Sequence, residues 1–146
     1  VLENVMVGAL NRGGSVRAAR EVSDHVIEQL GLENRRDDPA ASLTLPDRKR
    51  LEVARALATG PRILLLDEVM AGLRPTETDR MVALFKDLNT SLGLTILMIE
   101  HVMRAVMALS RHVVVLHHGQ VIASGTPGAV TRDPAVLECY LGEEAV

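Results

Sequence analysis

Asp67 and Glu68 are adjacent carboxylates that close the apolar run Arg62-Ile63-Leu64-Leu65-Leu66, and their types and placement suit chemistry best in this chain. Four branched apolar residues in a row, preceded by Pro61 and ended by charge, predict a central strand of a parallel sheet, covered on both faces. The two acids then fall at the strand's carboxyl end, the edge where open α/β sheets bind ligands. Successive strand side chains point opposite ways, so the pair would have different neighbours, one near a cation and the other near a water. Taken alone, the same pair also reads as ordinary solvated acids at a strand end.

The elements that must position them are legible along the chain. Leu2, Val5, Met6 and Leu10 make a short helical stripe that Gly13-Gly14 breaks. Ser15 can cap a second helix with the stripe Ala19, Val22, Val26, Ile27 and Leu30, ending at Gly31, so a helical hairpin is expected. Arg35-Arg36-Asp37-Asp38, within the loop 33–39, reads as a solvated connection of mixed charge. A third helix starts around Pro46, which suits a first turn, carries Leu51, Ala54, Leu57 and Ala58 on one side, and stops at Gly60-Pro61.

After the Ile63 strand, 71–75 reads as a loop, and Thr76 with Asp79 marks the start of a helix buried through Met81, Leu84, Phe85, Leu88 and Leu92. Thr95 to Ile99 is expected to be a second buried strand, followed by a helix through Val102, Ala105, Val106 and Leu109. Val113 to Leu116 and Gln120 to Ser124 form a hairpin about His118-Gly119. A short helix through Val136, Leu137 and Tyr140 is expected in the tail. Strands alternating with helices predict an α/β fold with a mostly parallel sheet.

The 146 residues set an upper limit of one domain, 47% hydrophobic and 24% charged, which is a globular composition. A net charge of -3 and a longest basic tract of Arg48-Lys49-Arg50 argue against nucleic acid as a partner. So does the lack of stacking aromatics, with Phe85 and Tyr140 alone. The single Cys139 excludes an internal disulfide and fits a reducing compartment. No apolar run approaches the roughly 20 residues that span a bilayer. Val1-Leu2-Glu3-Asn4 lacks the character of a signal peptide and has no initiator Met, so the chain reads as a fragment or a trimmed frame.

Leu51 to Ala58, Pro61, Ile63 to Glu68, Ala71-Gly72-Leu73 and Thr95 to His101, in this order and spacing, resemble the second half of an ATP-binding-cassette (ABC) ATPase domain. The resemblance implies a partial P-loop NTPase fold with flanking helices and a helical subdomain at the N-terminal end. The expected parts are 1–46, helical subdomain and signature; 47–125, the C-terminal half of the ATPase core; and 126–146, the tail. It implies that Asp67 holds Mg²⁺ through water and that Glu68 orients and activates the attacking water. It further implies that His101 reaches toward the γ-phosphate, and that Ala71, Gly72, Leu73 and Arg74 form the loop through which two ATPase subunits communicate. His101 also reads as a helix-capping or exposed histidine; His25, His112, His117 and His118 match nothing in the pattern.

Leu43-Thr44-Leu45-Pro46-Asp47 falls where the family has its signature, usually Leu-Ser-Gly-Gly-Gln, which binds the nucleotide held by the opposite subunit. Thr44 keeps a hydroxyl, while Leu45 and Pro46 replace two glycines and Asp47 replaces glutamine. Glycine lets backbone N–H groups approach a phosphate, proline has none to give, and aspartate brings a like charge. The resemblance therefore implies a weakened clamp. Arg48, Lys49 and Arg50 read either as offsetting that charge or as a solvated helix face. A P-loop needs Gly-Lys-Ser/Thr, and Lys49 and Lys86, the only lysines, do not supply it, so this polypeptide alone is expected to bind ATP poorly.

Gly125-Thr126-Pro127 with Asp133 to Gly142, and Leu2 to Gly8, resemble ATP-binding subunits of branched-chain amino acid importers. Such a subunit uses ATP and Mg²⁺, pairs with a second ABC ATPase subunit, docks on transmembrane permease subunits, and sits in the cytoplasm on the inner face of the membrane. The competing readings are a non-catalytic interaction module derived from a truncated cassette, and a cassette ATPase acting on DNA or ribosomes.

Overall fold

The computed structural model describes residues 1–142, and the side chains of residues 1–139. It divides into two units, Val1–Ile99 and one that begins at Glu100.

The first unit holds α1 (Leu2–Leu10), α2 (Val16–Gln29), α3 (Leu45–Ala58), β1 (Ile63–Asp67), α4 (Pro75–Leu92) and β2 (Thr95–Ile99). The expected helical hairpin forms. The Ser15 side chain accepts from the Ala18 N–H at 3.2 Å to start α2, and Ala19, Val26, Ile27 and Leu30 are buried. Helix α3 buries Leu51, Val53, Ala54, Leu57 and Ala58. It crosses α1 closely at Gly8, where an added Cβ would meet the Arg55 carbonyl oxygen and the Ala58 Cβ. The loop expected to be merely solvated is a clamp: Arg36 Nε lies 2.6 Å from Asp24 Oδ1 on α2, and the Arg36 carbonyl accepts from the Leu2 N–H at 2.9 Å. Hydrogen bonding to Asp24 raises the Arg36 guanidinium above its usual value.

β1 and β2 pair in parallel, Ile63 opposite Thr95 through Asp67 opposite Ile99. Within the described residues these strands are covered on one face only. Leu64 and Leu66 are buried, but Ile63, Leu65, Leu97 and Ile99 are 59 to 70% exposed. Paired residues of a parallel ladder share a face, so one side of this two-stranded sheet lies open, and only the other packs on the unit's core. On α4 the buried face is Thr78, Met81, Val82, Phe85 and Leu88. Leu84 is half-buried and Leu92 is exposed, one residue before the left-handed Gly93 that ends the helix. Burying Phe85 contributes about 1.5–3 kcal/mol relative to leaving it in water.

Helix α4 starts two residues earlier than Thr76 and Asp79 suggest. Pro75 occupies its first position with φ already set, and its ring holds Arg74 extended at φ -70, ψ 156, outside the helix.

The second unit holds α5 (Met103–Leu109), β3 (Val113–His117), β4 (Gln120–Gly125), α6 (Pro127–Val130) and α7 (Pro134–Gly142). β3 and β4 form the expected antiparallel hairpin, with a register irregularity between Val115 and Leu116. Ala123, Val130 and Val136 form its small core. In the tail helix Val136 is buried and Leu137 exposed; the Tyr140 side chain lies outside the described residues.

Candidate functional site

Asp67 is the last residue of β1, exposed, on the open face with Leu65. Glu68 has left the strand, so simple alternation does not set its direction. Its φ is 46, left-handed, a conformation that a residue with a Cβ rarely adopts. Backbone bonds hold it there: the Glu68 N–H donates to the Ile99 carbonyl at 2.9 Å, and the Glu68 carbonyl accepts from the Ala71 N–H at 3.1 Å. Val69 and Met70, 4% and 1% exposed, anchor the turn beneath two exposed carboxylates. Sequence reading had not singled out these two residues, although an apolar pair directly after paired acids was a usable signal.

Residues 71–74 lead from this turn into α4. Gly72 has φ +78, and an added Cβ there would come within 3.2 Å of Leu45 Cδ2. At the start of α4 the Arg74 N–H donates to Glu77 Oε2 at 2.8 Å, and the Arg74 guanidinium lies 2.9 Å from Glu77 Oε1. The backbone hydrogen bond first, and the guanidinium second, hold the Glu77 carboxyl below the usual carboxylate range.

Thr44 is the N-cap of α3, with Leu45, Pro46 and Asp47 as its first turn. The Thr44 hydroxyl donates to Asp47 Oδ2 at 2.9 Å and accepts from the Asp47 N–H at 3.4 Å. Arg50 lies 3.7 Å from Asp47 Oδ1. The Asp47 N–H at the helix start is thus taken by the Thr44 hydroxyl, which is itself bonded to the Asp47 carboxylate, and Pro46 contributes no N–H. Of the three basic residues that follow, Arg50 faces Asp47, Lys49 Nζ lies 3.5 Å from the Glu68 carbonyl oxygen, and Arg48 is exposed. The Lys49 contact was not foreseen in the sequence. A cleft of about 230 Å³ lies between the α3 start and the α4 start, lined by Thr44, Asp47 and Arg50 on one side and Leu73, Glu77 and Arg80 on the other.

The first unit therefore brings together Thr44 to Asp47, Asp67, Glu68, and Ala71 to Arg74. His101 is exposed and belongs to the second unit, ahead of α5. Among the described residues no three His, Cys, Asp or Glu side chains come together as a metal cage. No described helix is long and apolar enough to cross a membrane.

The fold that carries this acid pair and the capped helix beside it is that of a known class. The chain belongs to the ATP-binding-cassette (ABC) transporter family, whose model, described as ABC transporter, matches residues 1–71. Within it the branch is defined by a second model, described as Branched-chain amino acid ATP-binding cassette transporter, which matches residues 120–146. The high-affinity branched-chain amino acid transport ATP-binding protein BraF of Pseudomonas aeruginosa is 43% identical over 129 residues, covering 88% of this chain and 51% of BraF. The high-affinity branched-chain amino acid transport ATP-binding protein LivG of Escherichia coli (strain K12) is 37% identical over 98% of this chain and 62% of its own length. The chain thus spans about half to three fifths of these relatives. The ADP conformation of MJ1267, an ATP-binding cassette of an ABC transporter, superposes with a TM-score of 0.83 at 30% identity, over 97% of this chain and 62% of that one. The fold is accordingly α/β, that of ABC ATPase cassettes.

Proposed function

We propose that this chain is the carboxyl-terminal part of an ATP-binding and ATP-hydrolysing subunit that powers an ABC importer of branched-chain or other hydrophobic amino acids. The observation that carries the reading is Asp67-Glu68 at the end of a parallel strand, beside a capped α3 start, in a chain whose residues 1–71 match the general ABC transporter model and whose residues 120–146 match the branched-chain amino acid one. Asp67, exposed at the strand end, fits Mg²⁺ as a single carboxylate ligand through water, because Mg²⁺ dehydrates reluctantly and takes its other ligands from water and substrate phosphates. When bound, Mg²⁺ neutralises charge on the phosphates.

In this reading Glu68 accepts a proton from, and aims, the attacking water, and its fixed left-handed turn supplies the aim. His101 approaches the γ-phosphate, Ala71 to Arg74 carry contact with a second ATPase subunit, and Thr44 to Asp47 face the nucleotide that this second subunit holds. The self-occupied α3 start makes that last contact weak. The subunit docks on transmembrane permease subunits from the cytoplasmic face, with no nucleic acid partner.

A reading as a non-catalytic interaction module draws on Pro46 and Asp47 at the α3 start. Uptake of labelled leucine into vesicles separates the two. The complete gene product with its neighbouring permease genes supports ATP-dependent uptake if it is the importer subunit. Uptake equal with and without the gene product contradicts the proposal.

A further inference from the structure

Leu45 and Lys49 lie one turn apart on α3 and so share a face, which is turned toward the loop between β1 and α4. Leu45 rests against Gly72, and the Lys49 ammonium approaches the Glu68 carbonyl oxygen at 3.5 Å. Lys49 is not a freely solvated lysine: its side chain is 19% exposed, and its ammonium also lies 3.9 Å from the Glu52 carboxylate. The carbonyl it meets belongs to the one residue of this turn that is held in the left-handed region without being glycine. Such a conformation persists only where the surroundings over-determine it. Here they are the Ile99 carbonyl on the Glu68 N–H side, and the Ala71 N–H with Lys49 on the Glu68 carbonyl side.

We propose that Lys49 is a positioning residue for Glu68, and that Leu45 and Lys49 together make α3 a strut from the Thr44–Asp47 helix start to the Glu68 turn. The inference deepens the proposed function, since it takes from that reading the role of Glu68 in aiming water. Its consequence is that a change in what the α3 start touches is transmitted to the turn through one rigid helix face. Lys49 touches neither nucleotide nor water in this scheme; it acts through the Glu68 backbone.

Two measurements test it. In this chain, hydrogen exchange at the Ala71 amide, which donates to the same carbonyl, reads the turn directly. Lys49→Met should speed that exchange roughly fivefold, the factor one modest hydrogen bond supplies, and Lys49→Arg should restore it. Equal exchange in all three proteins overturns the proposal. If Lys49→Met loses its helical signal, Lys49→Gln takes its place under the same criterion. In the complete gene product, Lys49→Met should lower kcat roughly tenfold with KM for ATP unchanged, as expected for a misaimed group. A raised KM at constant kcat would overturn the strut. Glu68→Gln serves as the control: if it leaves turnover intact, the reading of Glu68 fails, while the exchange data still decide whether Lys49 holds the turn.

Discussion

Replacing Gly8 with alanine tests the packing that sets α3, and with it the Thr44 helix start, against the rest of the first unit. An added Cβ meets the Arg55 carbonyl oxygen, with the Ala58 Cβ at 3.2 Å and the Arg55 carbonyl carbon at 3.3 Å. Two of these three atoms are backbone and cannot rotate away, so the helices must separate. Overpacking of this kind costs about 1–3 kcal/mol. Alanine's better helix propensity offsets ~0.5–1 kcal/mol of that. Because the clash is with backbone, the upper part of that range, about 2–3 kcal/mol, applies, and a net loss of about 1–2.5 kcal/mol remains. With an m-value of ~2 kcal/mol/M, the urea midpoint should fall by roughly 0.5–1.2 M. Far-UV circular dichroism is the suitable probe, since the chain has no tryptophan. Gly128→Ala is the control, because a Cβ there meets nothing within 4 Å. A Gly8→Ala protein as stable as the parent would refute the close α1–α3 crossing.

Three further outcomes are expected. Restoring glycines at Leu45 and Pro46 in the complete gene product returns a backbone N–H to the α3 start and should tighten ATP-induced dimerisation roughly tenfold; sedimentation measurement of the dimer fraction against ATP decides, and unchanged affinity sinks the idea. Glu77 is held below the usual carboxylate range, so its stabilisation is fully present above its unfolded value and is lost as pH falls through its lower folded value. The urea midpoint of Glu77→Gln should therefore lie below the parent's at pH 6 and converge with it in strong acid; a constant gap across this range would contradict the assignment. The open face of Ile63, Leu65, Leu97 and Ile99 should bind a hydrophobic dye such as ANS, and Leu65→Lys with Leu97→Glu should remove most of that signal; unchanged fluorescence would place the dye elsewhere.

The helices were legible because their apolar spacing and their caps agreed: Ser15, Gly31 and Gly93 stand where the chain turns. The parallel strand was legible from its apolar run, but that run alone did not say which of its residues lie exposed. A run such as Ile63 to Leu66 records what the strand can be covered by, not how much cover the described chain supplies. The acid pair was legible from its place after that run. The left-handed turn at Glu68, the Lys49 contact and the Leu45–Gly72 contact were not, because they depend on how α3 lies against the β1–α4 loop. No periodicity encodes that juxtaposition. The start of α4 was misplaced because Thr76 and Asp79 imitate a cap, whereas Pro75 and Glu77 form the start itself.

The central claim concerns Glu68, and the most direct measurement is the behaviour of Glu68→Gln in the complete gene product. ATP binding by equilibrium titration should remain within about threefold of the parent, because the change removes no phosphate contact. Hydrolysis should fall on the order of a hundredfold or more, the usual loss when a group that handles the water's proton is removed. Turnover close to the parent's, with binding intact, would contradict the account.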